Sequence, residues 1–189
     1  MYACQKGNNN SNNKEIIKYL IDHGAKVNVC NNSGYTPILY ASLYHNVDLI
    51  AYLMENGGDI NTISKNGTTL LINACKQNNI EIVKFIIQHS TNINAVDEKG
   101  RTALMYACEN NNYDIVHYLI QYHYPDIDIN IISKYNCTAL SYACDNSNDQ
   151  IVQLLLNHHS IVNIKGKFGE TELIKACKSN NFKIVKYLI

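Results

Sequence analysis

A unit of about 33 residues recurs along the chain, and this period restricts the possible folds more than any other feature. Threonine recurs at spacings of 33, 33, 36 and 33, at Thr36, Thr69, Thr102, Thr138 and Thr171. Three more columns keep the same spacings: Asn28, Asn61, Asn94, Asn130 and Asn163; Ile38, Leu71, Leu104, Leu140 and Leu173; Ala41, Ala74, Ala107, Ala143 and Ala176. Such a period is typical of stacked units, each of which buries its apolar face against its neighbours.

One unit predicts two helices joined by a tight reversal. The column threonine can cap a helix start, and Pro37 then stands at the first helical position, where its missing N–H has no cost. Leu104 and Ala107 share one helix face because they are three residues apart. Asparagine tolerates the left-handed conformation that ends a helix, so Asn111 marks the reversal. A second apolar stripe follows at 115–120, then a turn and an extended stretch.

The segments that open the repeats resemble the turn and first helix of the ankyrin repeat family: "GYTPILYAS", "GTTLLINAC", "GRTALMYAC", "CTALSYAC" and "GETELIKAC". The stretch "LIDHGAKVN" is similar to the family's helix end and hairpin, and the resemblance covers essentially the whole chain. It implies an all-α helix-turn-helix solenoid with β-hairpin-like loops. It also implies a non-catalytic module that binds another protein on the concave surface formed by hairpin tips and first helices.

The chain also departs from the family pattern. The family's His in Thr-Pro-Leu-His is replaced by Leu39, Ile72, Met105 and Ile174, so we expect apolar packing there. The glycine after the second helix is kept at Gly24 and Gly57 but is Ser90 and His159 elsewhere, which predicts less favourable turns.

We predict one array of six units: 1–30 (partial), 31–63, 64–96, 97–132, 133–165 and 166–189 (partial). The opening "MYAC" aligns with Met105–Cys108, inside a first helix, and Ile189 aligns with Ile120, inside a second helix. We therefore expect a segment of a longer array, because uncapped repeat ends are apolar. Two insertions lengthen the repeats. We expect the first, Gly7–Asn13, to be a polar, mobile turn, and the second, within 121–130, to be either a surface bulge or an aromatic finger of Tyr122, Tyr124 and Pro125.

Composition narrows the class of partner. Lys and Arg together number 16, as do Asp and Glu, so no overall charge attracts nucleic acid or an anionic membrane. No apolar run is long enough to cross a membrane, and no signal peptide pattern is present. We expect a cytoplasmic or nuclear protein without a small-molecule substrate.

The sequence offers no catalytic or metal-binding set. Column cysteines in stacked units would lie ~8–10 Å apart, beyond the ~7 Å that a disulfide allows, so we expect free thiols that fill the core. They are Cys4, Cys75, Cys108, Cys144 and Cys177, whereas Cys30 and Cys137 fall near hairpins. No Cys-x-x-Cys, phosphate loop or nucleophile–base pair is found. We therefore expect no enzyme activity, no cofactor and no metal.

The hairpin tips carry the candidate binding residues, because their identities differ between copies. Aromatic residues and arginine, the types enriched at interface hot spots, occur there together with lysines. The candidates are Tyr35, Tyr44, Lys65, Lys99, Arg101, Lys134, Tyr135, Lys167 and Phe168. A surplus of basic residues favours a partner with an acidic or extended apolar segment.

Several alternatives stay open. The lysines can instead form a solvated edge, and the column of Tyr2, Tyr40, Tyr106 and Tyr142 can serve as packing between repeats or as an aromatic stripe facing a partner. The partner could instead bind the convex second helices, at Lys84, His117 and Gln153. The module could also be the targeting segment of a larger enzyme, or a structural spacer.

Overall fold

The computed structural model describes residues 11–89, 91–123 and 126–189. Every helix or strand longer than a single bridge within these ranges is an α-helix. The helices are α1 Ser11–Asp22, α2 Pro37–Leu43, α3 Val47–Glu55, α4 Leu70–Lys76, α5 Ile80–Ile87, α6 Ala103–Glu109, α7 Tyr113–His123, α8 Ala139–Asp145, α9 Asp149–Asn157, α10 Glu172–Lys178 and α11 Phe182–Leu188. Contacts divide the chain into two compact units, Met1–Asn92 with α1–α5 and Ile93–Ile189 with α6–α11. The all-α repeat fold is confirmed.

Within each unit the helices pack in two rows. In the unit Met1–Asn92, the first helices α2 and α4 pack together, and so do the second helices α3 and α5. In the unit Ile93–Ile189, α6, α8 and α10 form the row of first helices, and α7, α9 and α11 the row of second helices. The aliphatic column lies between the rows: Leu71, Leu104 and Leu140 are at most 2% exposed. The period thus places Leu71 in the core of the unit Met1–Asn92, and Leu104 and Leu140 in the core of the unit Ile93–Ile189.

The column threonines cap the first helices, with one exception. The hydroxyl of Thr102 accepts the N–H of Met105 at 3.2 Å, and the equivalent bonds occur at Thr69, Thr138 and Thr171. At Thr36 the predicted cap is wrong, because its buried hydroxyl has no hydrogen-bond partner among the described residues. That helix begins instead with Pro37, whose missing N–H leaves one fewer donor to satisfy.

Paired polar residues make the reversal between the two helices. Asn111 has a φ of +57°, as predicted for the turn, and the next residue, Asn112, accepts the N–H of Ile115 at 3.0 Å. The first residue of the pair therefore reverses the chain, and the second caps the next helix. The same division of roles occurs in the other described reversals, at His45-Asn46, Asn78-Asn79, Ser147-Asn148 and Asn180-Asn181.

Three residues of the asparagine column, Asn28, Asn94 and Asn130, each tie one loop to the next. Asn28 donates to the carbonyl of Gly57 at 2.8 Å and accepts the N–H of Asp59 at 2.9 Å. Asn130 forms the same pair of bonds with His159 (3.2 Å) and Ile161 (2.8 Å). Asparagine recurs here because its amide offers a donor and an acceptor together.

The substituted positions of the family motif pack as predicted in most copies. Leu39, Ile72 and Met105 are at most 1% exposed, so apolar packing does replace the family's histidine. Ile174 is 42% exposed, contrary to that prediction, because among the described first helices only α8 contacts α10. The turn at His159 has a φ of +64°, a conformation that glycine adopts at lower cost.

Some column and loop predictions need correction. Cys75, Cys108 and Cys144 are fully buried, but Cys177 is exposed, for the same reason as Ile174. The predicted mobile turn at Gly7–Asn13 is wrong from Ser11 onward, where α1 begins, and its first residues lie outside the described ranges. In the 121–130 insertion, Tyr122 is exposed at the end of α7, and its ring centre lies 4.2 Å from that of Tyr118, with the two rings tilted.

Four further predicted positions lie outside the described residues. Three of them are Tyr2, Cys4 and Ser90, and the fourth is the two-residue part of the suggested finger, Tyr124-Pro125.

Candidate protein-binding surface

Each repeat presents a short hairpin tip that is closed by one backbone hydrogen bond. The Asp97 N–H donates to the Arg101 carbonyl at 3.1 Å, and the other tips repeat this pattern. The Asp97 side chain also accepts the N–H groups of Lys99 and Arg101, which fixes the turn from within. The five tips are 31–35, 64–68, 97–101, 133–137 and 166–170.

Two pairs of neighbouring tips are each joined by a further backbone bond. The Lys65 N–H donates to the Ser33 carbonyl at 3.0 Å in the unit Met1–Asn92. The Lys134 N–H donates to the Lys99 carbonyl at 2.9 Å in the unit Ile93–Ile189. Each bond holds its two tips side by side, so the side chains of these two tips line one edge of their own unit.

Arg101 is built into the fold rather than exposed at its tip. It is only 6% exposed, its guanidinium lies 4.0 Å from the Tyr106 ring and 4.4 Å from the Tyr142 ring, and it pairs with Glu109 at 2.5 Å. Its Nε has no hydrogen-bond partner among the described residues. Desolvation is the largest single influence and would lower the pKa of Arg101, but the hydrogen bond to Glu109 and the charge interactions with Tyr142, Glu109 and Tyr106 together outweigh it, so the pKa lies above its ordinary value.

The tyrosines around Arg101 are also held in place. The Tyr106 hydroxyl donates to Asp97 at 2.6 Å. The pKa of Tyr106 is raised mainly by burial and, to a smaller extent, by this hydrogen bond. Burial is also the main reason why the pKa of Tyr142 is raised. Because Tyr142 belongs to the repeat after Arg101, this stack packs two repeats together, which agrees with the packing interpretation of the tyrosine column.

A cavity of about 460 Å³ opens beside this stack, between the tips 133–137 and 166–170. We call it the tip cavity. Aromatic side chains, the Cys137 thiol and both signs of charge line it: Arg101, Glu109, Tyr135, Cys137, Tyr142, Asp145, Gly166, Lys167, Phe168, Glu170 and Lys175. Its size is within the range of sites that take a small ligand or a few side chains of a partner.

The structure brings four of the nine candidate residues together at this cavity: Arg101, Tyr135, Lys167 and Phe168. Phe168 is 83% exposed and Tyr135 is 36% exposed. Lys99 and Lys134 are exposed on tips of the same unit, outside the cavity lining. In the unit Met1–Asn92, Lys65 is exposed, whereas the remaining two candidates, Tyr35 and Tyr44, are half-buried.

Two groups of residues on this surface were not predicted from the sequence. Ile63, Val96 and Ile132 occupy one column just before the tips and are 44–60% exposed. The sequence could have indicated them, because they are β-branched apolar residues within loops that are otherwise mostly polar. Lys175 was not predicted because its position belongs to the tyrosine column. Its ammonium group reaches the preceding repeat, where it pairs with Asp145 at 2.7 Å.

No group of three or more His, Cys, Asp or Glu side chains within 11–89, 91–123 and 126–189 is placed to hold a metal ion. The six cysteines in these ranges are free thiols. No described helix is both long and apolar enough to pass through a membrane.

Comparison with known families agrees with the repeat architecture. A model described as ankyrin repeats, in three copies, matches residues 1–64, 56–133 and 125–189. The chain belongs to the ankyrin repeat family. Ankyrin repeats generally act as protein–protein interaction modules and are typically non-catalytic. A search of curated proteins gives no significant match.

Proposed function

We propose that this ankyrin repeat chain binds a partner protein through its hairpin tips and the adjoining surface of its first helices. The observation that carries the proposal is the group of Tyr135, Lys167 and Phe168 around the tip cavity. A largely exposed phenylalanine contributes nothing to the core, yet it lies beside a second aromatic residue and a cation. Aromatic side chains next to a concave site are typical anchors of protein interfaces.

The apolar column before the tips supports the same surface. Val96 and Ile132 are 44% and 49% exposed, and the exposed lysines Lys99 and Lys134 follow them in the same loops. An apolar strip flanked by cations suits a partner segment that is apolar and acidic, since the lysines would steer it and the apolar residues would hold it.

The second helices are the competing surface. In the unit Ile93–Ile189, α7 exposes Tyr113 (37%) and Tyr122 (62%). These aromatic residues contact rings of their own helix, Tyr113 stacking on His117 and Tyr122 lying tilted against Tyr118, rather than grouping around a cavity. They provide a matched control, because they are aromatic, exposed and in the same unit.

The proposal is tested by two double variants against a partner recovered by affinity capture and then purified. Tyr135→Ala with Phe168→Ala should weaken binding by about 2 kcal/mol or more, without a change in the far-UV circular dichroism spectrum. Tyr113→Ala with Tyr122→Ala should leave the affinity within about twofold. If the α7 pair abolishes binding and the tip pair does not, the tips are not the binding surface.

A further inference from the structure

We propose that the tip cavity receives an extended partner segment in which a carboxylate lies next to a large apolar side chain, and that Asn136 keeps this cavity open. The inference rests on the proposed function and specifies its ligand chemistry. It follows from three observations: how neighbouring tips approach each other, which charges around the cavity are already paired, and where the aromatic rings lie.

Glycine permits neighbouring tips to come together. A Cβ at Gly34 would lie 2.6 Å from the Lys65 nitrogen, and one at Gly100 would lie 3.1 Å from the Lys134 nitrogen. Both nitrogens belong to the tip-to-tip hydrogen bonds described above. A side chain at these glycine positions would therefore force the next tip away.

Asn136 stands at this position in the tip 133–137. It keeps the left-handed backbone of the glycines, with a φ of +54°, but it carries a Cβ. Among the described residues, no bond from the Lys167 N–H to the Tyr135 carbonyl completes the tip-to-tip pattern. The Cys137 thiol donates to that carbonyl at 3.5 Å instead. The separation of these two tips opens the tip cavity, and we attribute it to Asn136.

The ion pairs around the cavity leave one cation of its lining without an acidic partner among the described residues. Glu109 pairs with Arg101, Asp145 pairs with Lys175, and Glu170 pairs with Lys178. Lys167 lines the cavity but forms no ion pair with any described residue. Every acid of the lining is thus neutralised, and a ligand carboxylate is the group that complements the remaining cation.

The aromatic residues fix where the apolar part of the ligand lies. The Lys167 ammonium is 5.6 Å from the Tyr135 ring centre and 5.7 Å from that of Phe168, within the range of cation–π contacts. An anion on Lys167 would therefore lie beside two rings that offer apolar surface. A carboxylate next to an aromatic or large aliphatic side chain satisfies both features in adjacent residues of an extended chain.

The test draws its ligands from random peptides, so the partner itself need not be identified first. Random decapeptides displayed on phage are selected against the immobilised full chain, and the enriched sequences are made as fluorescein-labelled peptides for fluorescence anisotropy. We expect enrichment of Asp or Glu next to Phe, Tyr, Leu or Ile. Lys167→Gln should weaken these peptides by about tenfold, whereas Lys84→Gln, the same charge change on α5, should have no effect.

Asn136→Gly tests the opening of the cavity separately. The variant keeps every lining side chain and relieves the left-handed asparagine, so its thermal midpoint should rise by about 2–4 °C. If the tips then close, the selected peptides should bind about tenfold more weakly. Undiminished binding to Asn136→Gly would overturn the role of Asn136 in the proposal.

The remaining outcomes separate the inference from the proposed function. Selected peptides that need Tyr135 and Phe168 but lack the acidic–apolar pair would overturn the ligand chemistry and leave tip binding standing. Selected peptides that are insensitive to the Tyr135→Ala, Phe168→Ala double variant, or a selection that yields no binder, would count against both.

Discussion

Glu172 offers the sharpest test of how neighbouring repeats hold each other. It is 1% exposed at the first position of α10, where other repeats carry residues without charge such as Ala103 and Ala139. Its carboxylate accepts the Ser141 hydroxyl of the preceding repeat at 2.8 Å and the Ile164 N–H at 3.2 Å. We predict that Glu172→Ala destabilises the chain markedly, although it removes a buried charge.

The expected size follows from these contacts. Each donor left without an acceptor costs about 1–3 kcal/mol, and loss of a negative charge at a helix start costs a further ~0.3–1 kcal/mol. Release of the carboxylate from its buried site offsets part of this cost. We therefore expect Glu172→Ala to lower the free energy of unfolding by about 2–4 kcal/mol.

Urea unfolding followed by circular dichroism measures this change, and Glu170→Ala is the matched control. Glu170 lies two residues earlier and forms a surface pair with Lys178, so its loss should cost less than about 1 kcal/mol. A double-mutant cycle of Glu172→Ala with Ser141→Ala should give a coupling of about 1–2 kcal/mol. Equal costs for the two glutamates, or no coupling, would show that the buried carboxylate does not hold the two repeats together.

Three other predictions concern burial. In a thiol-reactive dye at about pH 8, Cys30 and Cys177 should react at once, whereas the fully buried thiols should react only on unfolding: Cys75, Cys108 and Cys144. Burial raises the pKa of Cys144 from 9.0 to about 12. The stabilising contribution of this thiol is therefore complete below about pH 9 and is lost as the pH rises towards 12. The thermal midpoint of unfolding should fall over that pH range, and a flat profile would contradict this. Leu104→Ala should cost about 2–5 kcal/mol because Leu104 is 2% exposed, whereas Leu20→Ala at a 47% exposed site should cost under about 1 kcal/mol in the same urea assay.

The sequence predicted the fold because the repeat makes local signals cumulative. Thr102, Leu104 and Asn111 each carry a weak preference, but their equivalents recur in register, so the helix pair could be inferred. The capping role of the second residue in each reversal, such as Asn112, was not predicted, because asparagine suits a turn as well as a helix cap and the residue type alone does not separate the two roles.

The candidate site was predicted less completely, because its features depend on contacts between repeats. Arg101 was expected at the surface, but its guanidinium lies between tyrosines of two repeats. The spacing of these residues in the sequence does not predict that contact. The importance of Asn136 also depends on the neighbouring tip, since the steric effect of its Cβ is visible only from the close approaches at Gly34 and Gly100.

Hydrogen–deuterium exchange of the chain, with and without a saturating bound partner, tests most directly whether the partner binds at the hairpin tips. Binding there should slow exchange in the tips 133–137 and 166–170, with little change in α7 and α9. Slower exchange confined to α7 and α9, with the tips unaffected, would place the partner on the second helices and contradict the proposed function.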